Sequence, residues 1–229
     1  MAVARLRSHH IAQVYDYGVE DGSPYIIMEL LEGEDLKELL SREKRLSLEA
    51  TARLVLHVAK ALHAAHGQGI VHRDLKPANV FISREHGDDV VKVFDFGVAK
   101  ALNDLADGEA TAEGVLLGTP RYMSPEQAHG AKIVDHRSDL WSLGVIAYRA
   151  VTGRLPFTAV GTGHVLVQIC TEDPPKPSEL VGHLPAEVDA FFARALHKNP
   201  AERFESAREM GLAFAELAEV SLSSFAVGG

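Results

Sequence analysis

The stretch GIVHRDLKPANVFIS, residues 69–83, decides how the chain is read. Two apolar runs, Ile70–Val71 and Val80–Ile82, flank His72, Arg73, Asp74, Lys76 and Asn79. Burying unpaired charge is costly. A loop set between two core runs should not carry that many such groups unless something pairs or completes them, and their purpose is the question the sequence raises.

The pattern on either side is regular. Upstream, SLEATARLVLHVAKALHAAHGQG repeats apolar residues at Leu48, Ala52, Val55, Leu56, Ala59 and Leu62, a helical period. Ser47 is its expected N-cap, and Gly67 and Gly69 end it. Downstream, NVFIS and VVKVF predict a hairpin turning near EHGDD. Residues 1–30 read as β, with HIAQVYDYGV and PYIIMELL joined by the turn sequence EDGS. From residue 35 the pattern is helical, and residues 101–118 read as a long exposed loop. SDLWSLGVIAYRAVTG is apolar nearly all round, which predicts a fully buried helix. DPPKPSEL is a Pro-rich connection. LPAEVDAFFARAL puts Pro185 at an expected first helical position, with Val188, Phe191, Phe192, Ala195 and Leu196 on one face. SAREMGLAFAELAEV opens with Ser206 and Glu209 at capping-box spacing. A short β part followed by a large helical part, with one hairpin between, is an α+β pattern.

The totals narrow the function classes. With 229 residues and 46% apolar content the chain can bury a sizeable core. A net charge of −9 argues against a general nucleic-acid binder but not against a nucleotide, which needs only a local positive site. Cys170 is the single cysteine, so no intrachain disulfide can form and a reducing, cytoplasmic setting is expected. MAVARLRSHH has no apolar core of a signal peptide. No apolar run approaches the roughly 20 residues that span a bilayer, and LGVIAYRAV is broken by Arg149. A membrane anchor or sensor domain beyond Gly229 remains compatible with this.

The order H-R-D-L-K-P-A-N (72–79), D-F-G (95–97) and S-P-E (124–126, in place of A-P-E) resembles the protein kinases. DLKPAN and GTPRYMSPEQA resemble the bacterial, eukaryotic-like (Hanks-type) serine/threonine branch. The resemblance covers essentially the whole chain. It implies an α+β, protein-kinase-like fold with a mostly helical C-terminal lobe and a partial β N-terminal lobe. Residues 1–31 would be the remnant of the N-lobe and the hinge, 32–220 the C-lobe, and 221–229 a tail or the start of a linker.

The implied reaction is transfer of the γ-phosphoryl of ATP, with Mg²⁺, to Ser or Thr hydroxyls of a protein substrate. Self-phosphorylation in the activation loop would be one case of it. Asp74 would take the hydroxyl proton, and Lys76 would reach the transferring phosphate. Asn79 and Asp95 would be hard-oxygen ligands for Mg²⁺. Thr119 would stand beside the substrate. Arg73 would pair with a phosphate on the activation loop, with Thr111 the candidate acceptor. Met28 would be the gatekeeper, Glu29–Leu31 the hinge that meets adenine through its backbone, Asp35 a ribose contact and Phe81 the floor beneath the adenine ring. His72 and Phe96 would stack in the core, Glu126 would pair with Arg203, and Asp139 would bond the catalytic-loop backbone.

The family's G-x-G-x-x-G loop, its phosphate-gripping Lys and the partner Glu of that Lys are not found before residue 69. MAVARLRSHHIAQVYDYG aligns with the second half of the Glu-bearing helix and the following strand. The reading is loss of the preceding family residues. Lys37, Lys44 and Lys60 are read as surface residues, not substitutes. Two other classes stay open: a pseudokinase-like binding module, and a small-molecule phosphotransferase of the aminoglycoside type, which lacks the D-F-G to S-P-E segment. His63 and His66 share a helix face at a spacing zinc can use, but no Cys or carboxylate completes a set, so both read as ordinary surface or core histidines.

Overall fold

A computed structural model describes residues 6–20, 23–85, 88–96, 120–131 and 134–220. Among these residues the chain forms five strands and eight α-helices. Strands β1 (Val14–Glu20) and β2 (Ser23–Met28) make an antiparallel ribbon. Strands β3 (Gly33–Asp35), β4 (Val80–Glu85) and β5 (Asp88–Val93) make a second antiparallel sheet. Both expected hairpins are present, and part of each turn lies outside the described residues. The predicted loop at 101–118, together with Thr111, Thr119 and the tail 221–229, also lies outside them.

The ribbon is not isolated. Ile11 bridges Val93 in parallel, with the Ala12 N–H donating to the Val93 carbonyl at 3.0 Å and the Val93 N–H to the His10 carbonyl at 2.9 Å. The segment ahead of β1 is thereby stitched to the last strand of the second sheet.

The helical part begins with α1 (Leu36–Glu43) and α2 (Leu48–His66). Ser47 caps α2 by accepting from the Ala50 N–H, as its position predicts. The short α3 (Pro125–Ala128) precedes α4 (Arg137–Thr152), in which every residue but Arg137 and Arg149 is buried. That is the outcome expected of a helix apolar all round. Helices α5 (Thr162–Thr171), α6 (Pro177–Leu180), α7 (Glu187–Ala195) and α8 (Ala207–Leu217) complete the set. Helix α8 lies across α2 so closely that a Cβ on Gly211 would sit 2.8 Å from the Ala59 Cβ. Only glycine lets the two backbones approach that far.

Two details differ from the sequence reading. Pro185 precedes α7, which starts at Glu187, and the Pro185 carbonyl accepts from Val188 instead. At α8, Ser206 accepts from the Glu209 N–H, but the Glu209 carboxylate takes the Glu205 N–H and pairs with Arg194. Arg194 offers that carboxylate a charged partner, so only half of the expected box forms.

A pair of stacked imidazoles joins the N-terminal segment to α2. His10 lies on His57 with ring centroids 4.4 Å apart, and its Nδ1–H donates to the Val91 carbonyl at 3.0 Å. Burial, reinforced by the nearby cations Lys60 and Lys92 and by His9, pushes His10 down to about 4. Burial, with His10 and Lys60 beside it, pushes His57 down to about 3. Lys60 is half-buried here rather than purely a surface residue. Both folded-state values lie below the unfolded value near 6.5, so in acid the unfolded chain binds more protons. Stability that is complete above pH ~6.5 is therefore lost as the pH falls toward 4. For two such groups the loss between pH 7 and 5 is on the order of 3 kcal/mol. Thermal unfolding across that range should show it, and His57→Phe, which keeps the stack, should roughly halve the dependence. An unchanged pH profile in His57→Phe would rule out this origin.

Candidate active site

The opening stretch is a loop held from three sides. Asp139, at the start of α4 and fully buried, accepts from the His72 N–H (2.8 Å), the Arg73 N–H (2.8 Å) and His66 Nε2 (2.8 Å). His72 donates from Nε2 to the Phe94 carbonyl at 2.9 Å, and its ring lies 4.8 Å from that of Phe96. Asn79 donates from Nδ2 to the Asp74 carbonyl (2.9 Å), while its own carbonyl accepts from the Phe94 N–H (3.2 Å). Residues 72–79 and 94–96 are thus one hydrogen-bonded unit. The expected contacts of Asp139 with the loop and of His72 with Phe96 are both present.

Arg73 and Asp95 have positive φ, 67° and 64°, although neither is glycine. Such backbone is strained and persists only where its surroundings hold it. Here the Asp139 carboxylate and the His72–Phe94 bond do so. The effect is to turn Asp74 and Asp95 outward, and both are exposed while their neighbours Leu75 and Phe96 are buried. Asp74 Oδ2 lies 2.5 Å from Lys76 Nζ. Asn79 is buried beneath them.

The residues read as an adenine pocket fall at the junction of the two sheets. Met28 borders a small apolar cavity with Ile11, Val14, Ile26, Phe94 and Phe96. Glu29 is committed internally: its N–H donates to the Gln13 carbonyl, and its carboxylate takes the Gln13 N–H (2.8 Å) and Lys92 Nζ (2.8 Å). Sequence reasoning missed this buried pair, because nothing in the local pattern says that Lys92 turns inward. Leu31 and Phe81 are half-buried. Gly33 sits so close to β4 that a Cβ would come 2.0 Å from the Ile82 carbonyl, and it brings the hinge segment against Phe81. Asp35 caps α1 through a 2.7 Å bond from the Glu38 N–H, a structural task the sequence reading did not assign.

Below the site, Glu126 and Arg203 form the expected pair, with two bonds of 2.9 Å. The buried guanidinium also donates to the carbonyls of Arg137, His197 and Lys198 and lies 4.9 Å from the Trp141 ring. His66 is engaged by Asp139 and His63 is exposed. Gln127, which sequence reasoning passed over, forms a full capping box with Ser124, and its Nε2–H₂ reaches the Arg73 carbonyl at 2.7 Å. The Ser-x-x-Gln spacing was a visible signal for the box. The reach to Arg73, far away in sequence, was not.

A small β part, a helical part, and between them an H-R-D loop tied through its backbone to a D-F segment define the class: a kinase. Residues 1–212 match the protein kinase domain family, and the chain belongs to it. Serine/threonine-protein kinase pkn3 of Myxococcus xanthus is 44% identical over 211 residues, covering 90% of this chain and 38% of that protein. Serine/threonine-protein kinase PknL of Mycobacterium tuberculosis is 39% identical over 227 residues, 99% of this chain and 55% of that protein. The chain thus spans between about a third and about a half of the curated relatives it matches. The crystal structure of the Mycobacterium tuberculosis PknI kinase domain aligns with a TM-score of 0.73 at 31% identity, over 94% of this chain and 75% of that one. The fold is accordingly protein-kinase-like.

The family generally uses ATP and Mg²⁺. The donor set suits the metal: Asn79 and Asp95 offer hard oxygens, and Mg²⁺ needs few protein ligands because phosphates and water supply the rest. Among the described residues no group of three or more His, Cys, Asp or Glu forms a metal site of its own. Nor is any described helix long and apolar enough to cross a membrane.

Proposed function

We propose that the chain is a serine/threonine protein kinase domain that transfers the γ-phosphoryl of ATP to Ser or Thr hydroxyls of a protein substrate. The observation that carries this reading is the outward-facing Asp74, paired with Lys76 on a loop bonded to the Asp95 segment. Phosphoryl transfer needs positioning and charge neutralisation more than covalent help. Asp74 accepts the proton of the acceptor hydroxyl and aims its oxygen. Lys76 contributes a point cation next to the transferring group. Asn79 and Asp95 would hold Mg²⁺, which when bound neutralises charge on the phosphates. Met28, the backbone of Glu29–Leu31 and Phe81 would enclose adenine, and Asp35 would face the ribose.

Arg73, exposed on the loop, would meet a phosphate placed on the activation segment, and Thr119 would face the acceptor. In this reading residues 1–31 belong to the N-lobe and hinge and 32–220 to the C-lobe. The partners are proteins, this chain included, and the setting is cytoplasmic.

Incubation with γ-labelled ATP, Mg²⁺ and a Ser/Thr-rich protein should label the acceptor, and a chelator in excess of Mg²⁺ should abolish the label. Acid hydrolysis should release phosphoserine or phosphothreonine. Nucleotide binding with no transfer would overturn the proposal and leave a binding module.

A further inference from the structure

We propose that Gln127 is a positioning residue, tethering the catalytic loop through the Arg73 carbonyl and so holding Asp74 in aim. The inference rests on the kinase reading for its effect on turnover, but not for its effect on the loop. Gln127 sits at the third position of α3 and uses both ends of its amide. Its Oε1 accepts from the Ser124 N–H (3.0 Å) and the Ser124 hydroxyl (3.1 Å). Its Nε2 donates to the Arg73 carbonyl (2.7 Å). This is the orientation that pairs every group, since the reverse would set donor against donor and oxygen against oxygen.

The placement is informative. Arg73 is one of four non-glycine residues with positive φ among the described residues, and it immediately precedes Asp74. Asp139 holds the N–H of this strained residue, and Gln127 holds its carbonyl. Removing either lets the strained backbone relax and Asp74 swing with it. The same side chain caps the segment that contains Ser124 and Glu126. One amide therefore fixes the distance between the S-P-E segment and the base. A small misplacement of a reacting group is costly in a reaction whose catalysis is positional.

Two substitutions separate the tether from the cap. Gln127→Glu keeps an acceptor for Ser124 but has no N–H to give Arg73. Ser124→Ala removes the hydroxyl cap but leaves Gln127 free to donate. Backbone hydrogen exchange, read on a peptide covering His72–Leu75, needs no turnover. Gln127→Glu should speed exchange there by about three- to tenfold, the scale of one net hydrogen bond, with α4 beyond its first turn unchanged. It should lower kcat by about tenfold with little change in KM for ATP, while the melting temperature stays near wild type. Ser124→Ala should lower the melting temperature and leave exchange at His72–Leu75 and kcat nearly unchanged.

Unchanged exchange in Gln127→Glu overturns the tether. So do losses that follow the melting temperature equally in both variants, because they would make Gln127 a helix cap and nothing more. If the wild-type chain transfers no phosphate but Gln127→Glu still loosens the loop, the tether stands and the kinase reading fails.

Discussion

Replacing Asp74 by asparagine is expected to lower phosphoryl transfer by about 10²–10⁴-fold, the usual contribution of a positioned general base. Asparagine has the same shape and cannot take a proton. The fold should not register the change. The Asp74 side chain is 68% exposed, and its partner is Lys76, itself partly exposed. An ion pair in that position contributes roughly 0–1 kcal/mol, so the melting temperature should stay within a degree or two. Nucleotide affinity should hold as well, because the residues proposed to enclose adenine, and Asp95, are untouched. The informative result is a collapse of kcat with intact folding and intact binding. Transfer at the wild-type rate by Asp74→Asn would remove Asp74 as the base.

Replacing Arg203 by alanine should be strongly destabilising. Its side chain is fully buried and Glu126 is 15% exposed. A buried ion pair adds little over a well-packed apolar pair, but removing one partner strands the other, at a cost of about 3–5 kcal/mol. Here the loss also removes the bonds to the carbonyls of Arg137, His197 and Lys198 and opens space beside Trp141. For a domain of this size that corresponds to a drop of about 10 °C in melting temperature. Calorimetry of Arg203→Ala, Glu126→Gln and the double variant would test it. The double variant should lose clearly less than the sum of the singles, because neither charge is then left alone. Strict additivity would show that the pair is not what Arg203 supplies.

Much of this was readable in the residues, for reasons that differ from place to place. Helices α2 and α4 were legible because their apolar residues obey a helical period or surround the axis. Ser47 was legible because a cap is a local device. The grouping of His72, Asp74, Asn79 and Asp95 was legible because the H-R-D and D-F-G motifs are short and ordered, and the structure bonds the 72–79 loop to Phe94, next to Asp95. What escaped was long-range and made by ordinary polar side chains. Lys92 meets Glu29 across the sheet junction, His66 turns to Asp139, His10 stacks on His57, and Gln127 reaches Arg73. None of these pairs has a local spacing signature, since each is set by how elements dock. Pro185 fell two residues ahead of α7, and of the Ser206–Glu209 box only the Ser206 half formed. The Glu209 carboxylate is instead taken up by the Glu205 N–H and by Arg194, a partner from another helix that the local spacing does not show.

The Glu126–Arg203 pair also has a meaning in time. The partners are 77 residues apart along the chain. A ribosome adding about 5–20 residues per second needs roughly 4–15 s to travel that distance. Throughout that interval the S-P-E segment has been made but lacks the cation that anchors it. The nascent chain can assemble its sheet and α2 early, yet the support beneath the 72–79 loop cannot close until the chain has been made past α7.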